Sequence, residues 1–435
     1  MMKNYVSRIF QPFTSIPKHA NTSKQEITSK SQRLMLELGI IQQANPGCYH
    51  LLPLGLRSLE KIIKITDGEM SKINGQKVVL STLVNKALWK TTGRLEETQS
   101  ELFQLKDRHN HDFLLCPTQE ETVTTLLSNI GPISYKSFPL RLYQITSKFR
   151  DEIKPRFGLM RAREFIMKDL YSFDVDLKSA QETYSELNDS YDRIFRNIGL
   201  DYVKVLGTSG NIGGSISHEF HYQADIGEDK ILTCSECGYS ANTELSGDCS
   251  CPKCKSKNIN ISSGIEIAHT FLLGDKYSKP LKATFLNIKG KPEVLQMGCF
   301  GIGISRIMAA AVEVMSLEQE IRWPDAIAPF NVIILPPKFG SKEEQSTKNL
   351  SEKLYTAIEN LPNLKDNILI DDRISLTIGR RFLEAKRIGY RFIIVIGKTS
   401  TENVPLFELN DLKLNIQMHL TESELLCYIK DNLIF

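Results

Sequence analysis

The stretch YQITSKFR (143–150), DEIKPRFGLMRA (151–162), REFIMKDLYSF (163–173) decides the reading of this chain. In its first part Tyr143, Ile145, Ser147 and Phe149 fall on one side of an extended strand, and Gln144, Thr146, Lys148 and Arg150 on the other. The third part alternates in the same way from Arg163 to Phe173. Alternation with period two reads as β-strand, because successive side chains leave a strand on opposite faces. The middle part contains Pro155 and Gly158 and reads as the loop between the strands. The result is a long antiparallel hairpin whose polar face offers Arg150 and Glu152 and, on the return, Arg163, Glu164 and Phe165.

Working outward, residues 31–43 and 54–73 have helical spacing, and 77–83 and 113–116 read as short strands. A helix is expected from Thr118, with Thr118 and Glu121 in the order of a capping box. Residues 178–198 read as helix, 264–273 and 281–288 as strands, and 301–314 as a glycine-rich strand end running into an alanine-rich helix. Pro324 and Pro329 mark a linker. Beyond Phe330 the pattern changes. The runs NVIILPP, NILIDD and FIIVIG, separated by two helical stretches, give a β-α-β-α-β order and a small, mainly parallel sheet. The expected fold is therefore an antiparallel α+β body followed by a separate α/β domain.

Of the 435 residues, 41% are hydrophobic and 24% charged, which fits globular domains and excludes disordered and fibrous classes. No apolar run reaches the roughly 20 residues of a membrane helix. A net charge of +3 does not by itself imply a nucleic-acid partner, so the distribution matters. One basic cluster lies in the hairpin, and a second holds Arg380, Arg381, Lys386, Arg387 and Arg391. Among nine cysteines, Cys234, Cys237, Cys251 and Cys254 stand as two C-x-x-C pairs with zinc-ribbon spacing. Structural zinc, reduced thiols and a disulfide all remain open for them. The odd count without a secretory signal argues for a reducing compartment. The first 25 residues are basic, acid-free and rich in hydroxyls, which suits a mitochondrial presequence over 1–24.

Two elements carry chemistry together. FRDE places Arg150 and Glu152 in the hairpin, and MGCFGIGISRI (297–307) places Arg306 on a helix after a glycine-rich strand end. An arginine from each can grip a different phosphate with a planar donor fork. This pair resembles motifs 2 and 3 of class II aminoacyl-tRNA synthetases. CPTQEE (116–121), PRFGLMRAREFIMKDLYSF (155–173), SHEF (217–220) and GIEIAHTFLLG (264–274) are similar to the prolyl-tRNA synthetase family, in its compact mitochondrial form. The resemblance covers nearly the whole chain.

The resemblance implies a class II catalytic domain over 25–330, with a Cys-rich insert at about 230–260, and an anticodon-binding domain over 331–435. It implies ATP- and magnesium-dependent formation of prolyl-adenylate and transfer to tRNA(Pro), in the mitochondrial matrix and in a homodimer. Thr118 and Glu120 would hold the secondary amine, and His269 and Cys299 would line the proline pocket. Arg150 would bridge the substrate carboxylate and the α-phosphate, and Arg306 would take the γ-phosphate. Glu152, Arg163 and Phe165 would hold adenosine and phosphates, with Glu219 and Glu266 on the ATP or magnesium side. Arg373 and Lys386 would meet the anticodon. Two departures stand out. Ser81 occupies the usual proline position of motif 1, at the dimer interface. Residues 221–265 leave no room for the editing domain of bacterial relatives, so hydrolysis of alanyl-tRNA(Pro) is not expected.

Overall fold

The computed structural model describes residues 3–13, 27, 29–246, 250–347 and 349–433. Helix α1 (Glu120–Ile130) precedes strands β1 (Leu140–Phe149) and β2 (Glu164–Asp174), which pair antiparallel as the expected hairpin, from Leu140↔Phe173 to Phe149↔Glu164. Helix α2 (Leu177–Ile198) follows, then β3 (Ile216–Gln223), β4 (Asp229–Cys234), β5 (Ile259–Gly274), β6 (Gln296–Gly303) and α3 (Ile304–Met315). These strands belong to a nine-stranded sheet in which β6 lies between β2 and β5, and both β3 and β4 border β5.

The register decides what meets on the sheet. Glu219 pairs with His269, His269 with Gly301, Gly301 with Asp169 and Asp169 with Gln144. Paired residues project to the same face, so this row gathers polar groups from five strands on one side. The alternate residues Leu170, Phe220, Phe300 and Ile302 project to the other side. There they share one core with α2, α3 and the helix Pro53–Lys72, through Ile62, Leu187, Tyr191 and Ile307. Helix α2 is fixed at both ends, by Asp176 in a capping box with Ser179 and by Gly199 at φ 87°.

The C-terminal sheet contains β7 (Val332–Leu335), β8 (Ile368–Ile370) and, after α4 (Ile378–Ile388), β9 (Phe392–Val395). These three are parallel, in the order β8-β7-β9, as expected. Two antiparallel strands absent from the sequence reading, β10 (Phe407–Asp411) and β11 (Ile416–Leu420), extend the sheet. The unbroken apolar runs follow from burial of both faces. Val332, Ile334, Ile370 and Ile394 enter the domain's own core, whereas Ile333, Leu335, Leu369 and Val395 join the core of the body. The seam is tight: Trp323 Nε1 donates to Ile388 O at 2.8 Å. A Cβ added at Gly389 would lie 2.2 Å from Ile321 O.

Two local expectations change. The helix expected over 31–43 ends at Glu37, because the chain turns at Gly39 (φ 65°) and resumes as the strand Ile41–Asn45. The capping box at Thr118 does not form: α1 starts at Glu120 without a side-chain cap, and the Thr118 hydroxyl donates to the Glu120 carboxylate. The start of the expected presequence is docked. Tyr5 bridges Ile370 on the open edge of β8, Ile370 N donates to Asn4 O at 3.0 Å, and Ser7 N donates to Asp372 Oδ1 at 2.9 Å. Residues 14–24 of that stretch lie outside the described residues. No helix among the described residues is long and apolar enough to cross a membrane.

Candidate active site

The polar face of the sheet opens into a cavity of about 330 Å³. Arg150 and Phe165 come from the hairpin, His269 from β5, Cys299 and Gly301 from β6, Arg306 from α3 and Thr118 from the approach to α1. Gly301 leaves the floor open where any side chain would project into the space.

One end is cationic. The Arg150 guanidinium lies 5.2 Å from the centroid of the Phe165 ring and has no ion pair among the described residues. Burial and the nearby Arg306 push it below the usual arginine range. Arg306 donates from Nε to Met160 O and from Nη1 to Glu266 O, both at 2.8 Å. These carbonyls aim the side chain without neutralising it, and Glu266 Oε2 is 3.9 Å away. Two arginines held this way form an anion site. Burial raises the Glu266 carboxyl, but the hydrogen bond and charge of His269 and the charge of Arg306 outweigh it, holding it at about 2.

Glu219 is not on the cavity wall. It is buried behind His269, with Oε1 4.0 Å from His269 Nε2, and Oε2 is bound by His221 Nε2 at 2.9 Å and Asn242 Nδ2 at 3.1 Å. His269 stacks on Phe271 at 3.9 Å, and its Nε2 is buried without a hydrogen-bond partner among the described residues. His218, the sequence neighbour of Glu219, meets Tyr184 Oη at 2.8 Å. His221, which returns to the Glu219 side of the strand, braces that carboxylate.

Glu152 lines the cavity and accepts from Arg161 Nε at 2.9 Å. Arg161 reaches the cavity; Arg163, the sequence expectation, does not. The strand alternation begins only at Glu164, and before it the chain bends so that Arg163 lies against Gly47 and 3.4 Å from Asp151.

The opposite end centres on the buried Glu120 carboxylate. Thr118 Oγ1 donates to Glu120, 2.7 Å from Oε2 and 2.9 Å from Oε1, and Cys299 Sγ donates to Oε1 at 3.0 Å. Burial raises the Glu120 carboxyl, but Arg94 and the bonds from Cys299 and Thr118 leave it below its ordinary value. Burial and Glu120 push the Cys299 thiol well above its usual range, so it is no thiolate nucleophile. Glu120 is fully buried, and Thr118 stands between it and the cavity. With its proton committed to Glu120, the hydroxyl turns its lone pairs to the open space.

The four cysteines converge beyond β4. All four sulfurs lie within 4.8 Å of one another, with Cys234–Cys254 and Cys237–Cys251 at 3.6 Å. Arg373 and Lys386 sit far from this site in sequence and are both engaged. Arg373 binds Asp371 at 2.7 Å and Glu384 at 2.8 Å. Lys386 faces the seam, 3.2 Å from Glu320.

Residues 103–315 match the tRNA synthetase class II core domain (G, H, P, S and T), and residues 331–432 match an anticodon binding domain. A Rattus norvegicus protein named "Probable proline--tRNA ligase, mitochondrial" is 47% identical over 415 residues, covering 93% of this chain and 86% of the relative. A Schizosaccharomyces pombe protein of the same name is 41% identical, covering 87% and 88%. The fold is that of the Giardia lamblia prolyl-tRNA synthetase solved with prolyl-adenylate, with a TM-score of 0.76 at 16% identity, over 92% of this chain and 76% of that one. The Cryptosporidium parvum enzyme solved with L-proline and AMP gives 0.74 at 19%, over 95% and 78%. The class II core, the anticodon-binding domain and identities above 40% across almost the whole chain make this protein a member of the proline–tRNA ligase family.

Proposed function

We propose that the cavity joins proline to ATP and passes the prolyl group to tRNA(Pro) in the mitochondrial matrix. The observation that carries this is one cavity with Arg150, unpaired among the described residues, and Arg306, only loosely paired with Glu266 at 3.9 Å, at one end and the Thr118–Glu120–Cys299 cluster at the other. The ring ammonium donates to the Thr118 hydroxyl, backed by the Glu120 charge. The carboxylate of proline attacks the α-phosphate beside Arg150, while pyrophosphate departs toward Arg306. Phe165 stacks on adenine, and Glu152 closes that side with Arg161. Catalysis then rests on positioning and on charge stabilisation in a dry site, with no side-chain nucleophile. In the second step the terminal adenosine hydroxyl of the tRNA takes the prolyl group. Bound magnesium would neutralise phosphate charge; Glu266, on the wall, and Glu219, behind it, are the carboxylates on that side.

The four cysteines suit structural zinc. A tetrahedral site with Zn–S bonds of about 2.3 Å puts sulfurs about 3.8 Å apart, whereas a disulfide needs about 2.05 Å. The 3.6 Å pairs fit the former. The catalytic domain over 25–330 would dimerise through the face around Val79, which is 84% exposed beside the apolar groove of Val78, Leu126, Ile130 and Phe138. The domain over 331–435 would meet the anticodon along Arg373 and Arg380, with Lys386 holding the seam. Proline-dependent ATP–pyrophosphate exchange, followed by charging of tRNA(Pro), tests this reading; exchange without charging would leave the tRNA assignment unsupported.

A further inference from the structure

Behind the amine end lies a charge cluster that the reading above does not use. Arg94 is 3% exposed and lines the cavity. Its Nη1 donates to Glu120 Oε2 at 3.1 Å and reaches Glu121 Oε1 at 3.2 Å and Oε2 at 3.3 Å. Glu120 and Glu121 are both 0% exposed. The guanidinium is fixed between two rings, 4.5 Å from the Trp89 centroid and 5.5 Å from that of Tyr277. Thr92 Oγ1 holds Glu121 from the far side at 2.9 Å. The neighbouring Lys148–Asp169 pair, at 2.8 Å, balances itself.

One buried guanidinium therefore faces two buried carboxylates. Packing alone does not require the second carboxylate, since a buried charge is stable only when matched. Burial, with the charge of Glu120, holds the Glu121 carboxyl above its ordinary range despite Arg94 and Thr92. Ionising it gives the triad one net negative charge, which the ammonium of a bound amino acid cancels. With Glu121 neutral, Arg94 would cancel Glu120, and the ammonium would enter a site that offers it no net charge. We propose that Glu121 is a specificity-determining positioning residue that acts through Arg94, sharing its charge with Glu120 so that the triad keeps one net negative charge for the substrate's amine. This rests on the assignment of the amine to the Thr118–Glu120 end.

The test compares proline with tetrahydrofuran-2-carboxylate, which has the same ring shape and carboxylate but no amine charge. In ATP–pyrophosphate exchange, Glu121→Gln is expected to raise the proline KM by about tenfold or more. The same variant should change the Ki of the ring-oxygen analogue by less than about threefold. The double variant R94M/E121Q removes one charge of each sign and should return the ratio of proline KM to analogue Ki to within about threefold of the unaltered enzyme. If E121Q weakens both ligands alike, or neither, the proposal is overturned. Should E121Q not fold by circular dichroism, the double variant decides alone, and a ratio shifted by about tenfold overturns the proposal. Failure of both variants to fold would mark the triad as a structural element and overturn it too. An unaltered enzyme without proline-dependent exchange would instead sink the reading of the cavity itself, and this inference with it.

Discussion

The chain has two basic clusters, and they look alike as sequence but not as structure. In the hairpin cluster Arg156, Arg161 and Arg163 pair with acids, but Arg150 has no acidic partner among the described residues, and Arg306, which joins it in space, is aimed by two backbone carbonyls with Glu266 3.9 Å away. In the C-terminal cluster every arginine is occupied. Arg380 pairs with Glu384, Arg387 with Glu37 and Arg391 with Asp325, while Arg381 is buried and donates to the carbonyls of Asp371 and Pro336. A charge already matched by the protein has little left for a ligand; one aimed by carbonyls into a cavity keeps its field. Arg150 therefore reads as chemistry and the second cluster as architecture, apart from Arg380, whose side chain is 66% exposed, so that its surface pair with Glu384 leaves it open to a ligand.

The sharpest way to break this contrast is Arg150→Ala. Loss of one donor aimed at the transition state should cut proline-dependent exchange by about 100-fold or more, with the fold intact by circular dichroism. Near-normal exchange would remove Arg150 from the mechanism. At the other end of the cavity, Glu120→Gln should raise the proline KM by about tenfold and leave the ATP KM nearly unchanged. A collapse of ATP binding together with the fold would make Glu120 structural.

The cysteine module abuts the cavity side of the comparison, because Asn242, just beyond β4, donates to Glu219. Metal analysis should find one zinc per chain, and Cys251→Ser should abolish it and lower Tm, since a structural zinc site contributes directly to folding. Metal-free protein with unchanged Tm would speak against zinc. The smallest effects belong to the C-terminal cluster. Lys386→Ala should leave exchange and charging unaltered and cost less than about 1 kcal/mol, as a half-exposed ion pair contributes little. Arg380→Ala should leave exchange alone and weaken charging by a few-fold. If Lys386→Ala harmed charging more than Arg380→Ala, the seam assignment would fail. Point variants serve better here than removal of 331–435, which would strip Ile333, Leu335 and Val395 from the core of the body.

These contrasts also mark what was legible beforehand. Periodicity within a segment is local, so the hairpin, α2 and the parallel runs of the C-terminal sheet could be read directly. The residues singled out by motif strings, Thr118, Arg150, His269, Cys299 and Arg306, all line one cavity. What escaped depends on contacts between distant segments or on irregular backbone. Arg161 rather than Arg163 lines the cavity because the loop does not continue the strand's alternation. Arg94 carries no sequence signal beyond one more arginine, yet it meets Glu120 and Glu121 some 26 residues on. The docking of Asn4 and Ser7 on β8 spans more than 360 residues and leaves only a basic, hydroxyl-rich composition, which equally suits a presequence. The partners of Lys386 and Arg387 belong to other elements, so their charges could not be counted as spent from the helix alone.

The central claim is that this cavity selects proline and activates it with ATP. Exchange of labelled pyrophosphate into ATP, measured on the purified full chain with each amino acid in turn, tests it most directly. Proline should support the fastest exchange, with alanine measurable but well below it, since a pocket discriminates a smaller apolar substrate by only about 10–200-fold. Exchange that is fastest with another amino acid, or absent with proline while the protein is folded, would contradict the account.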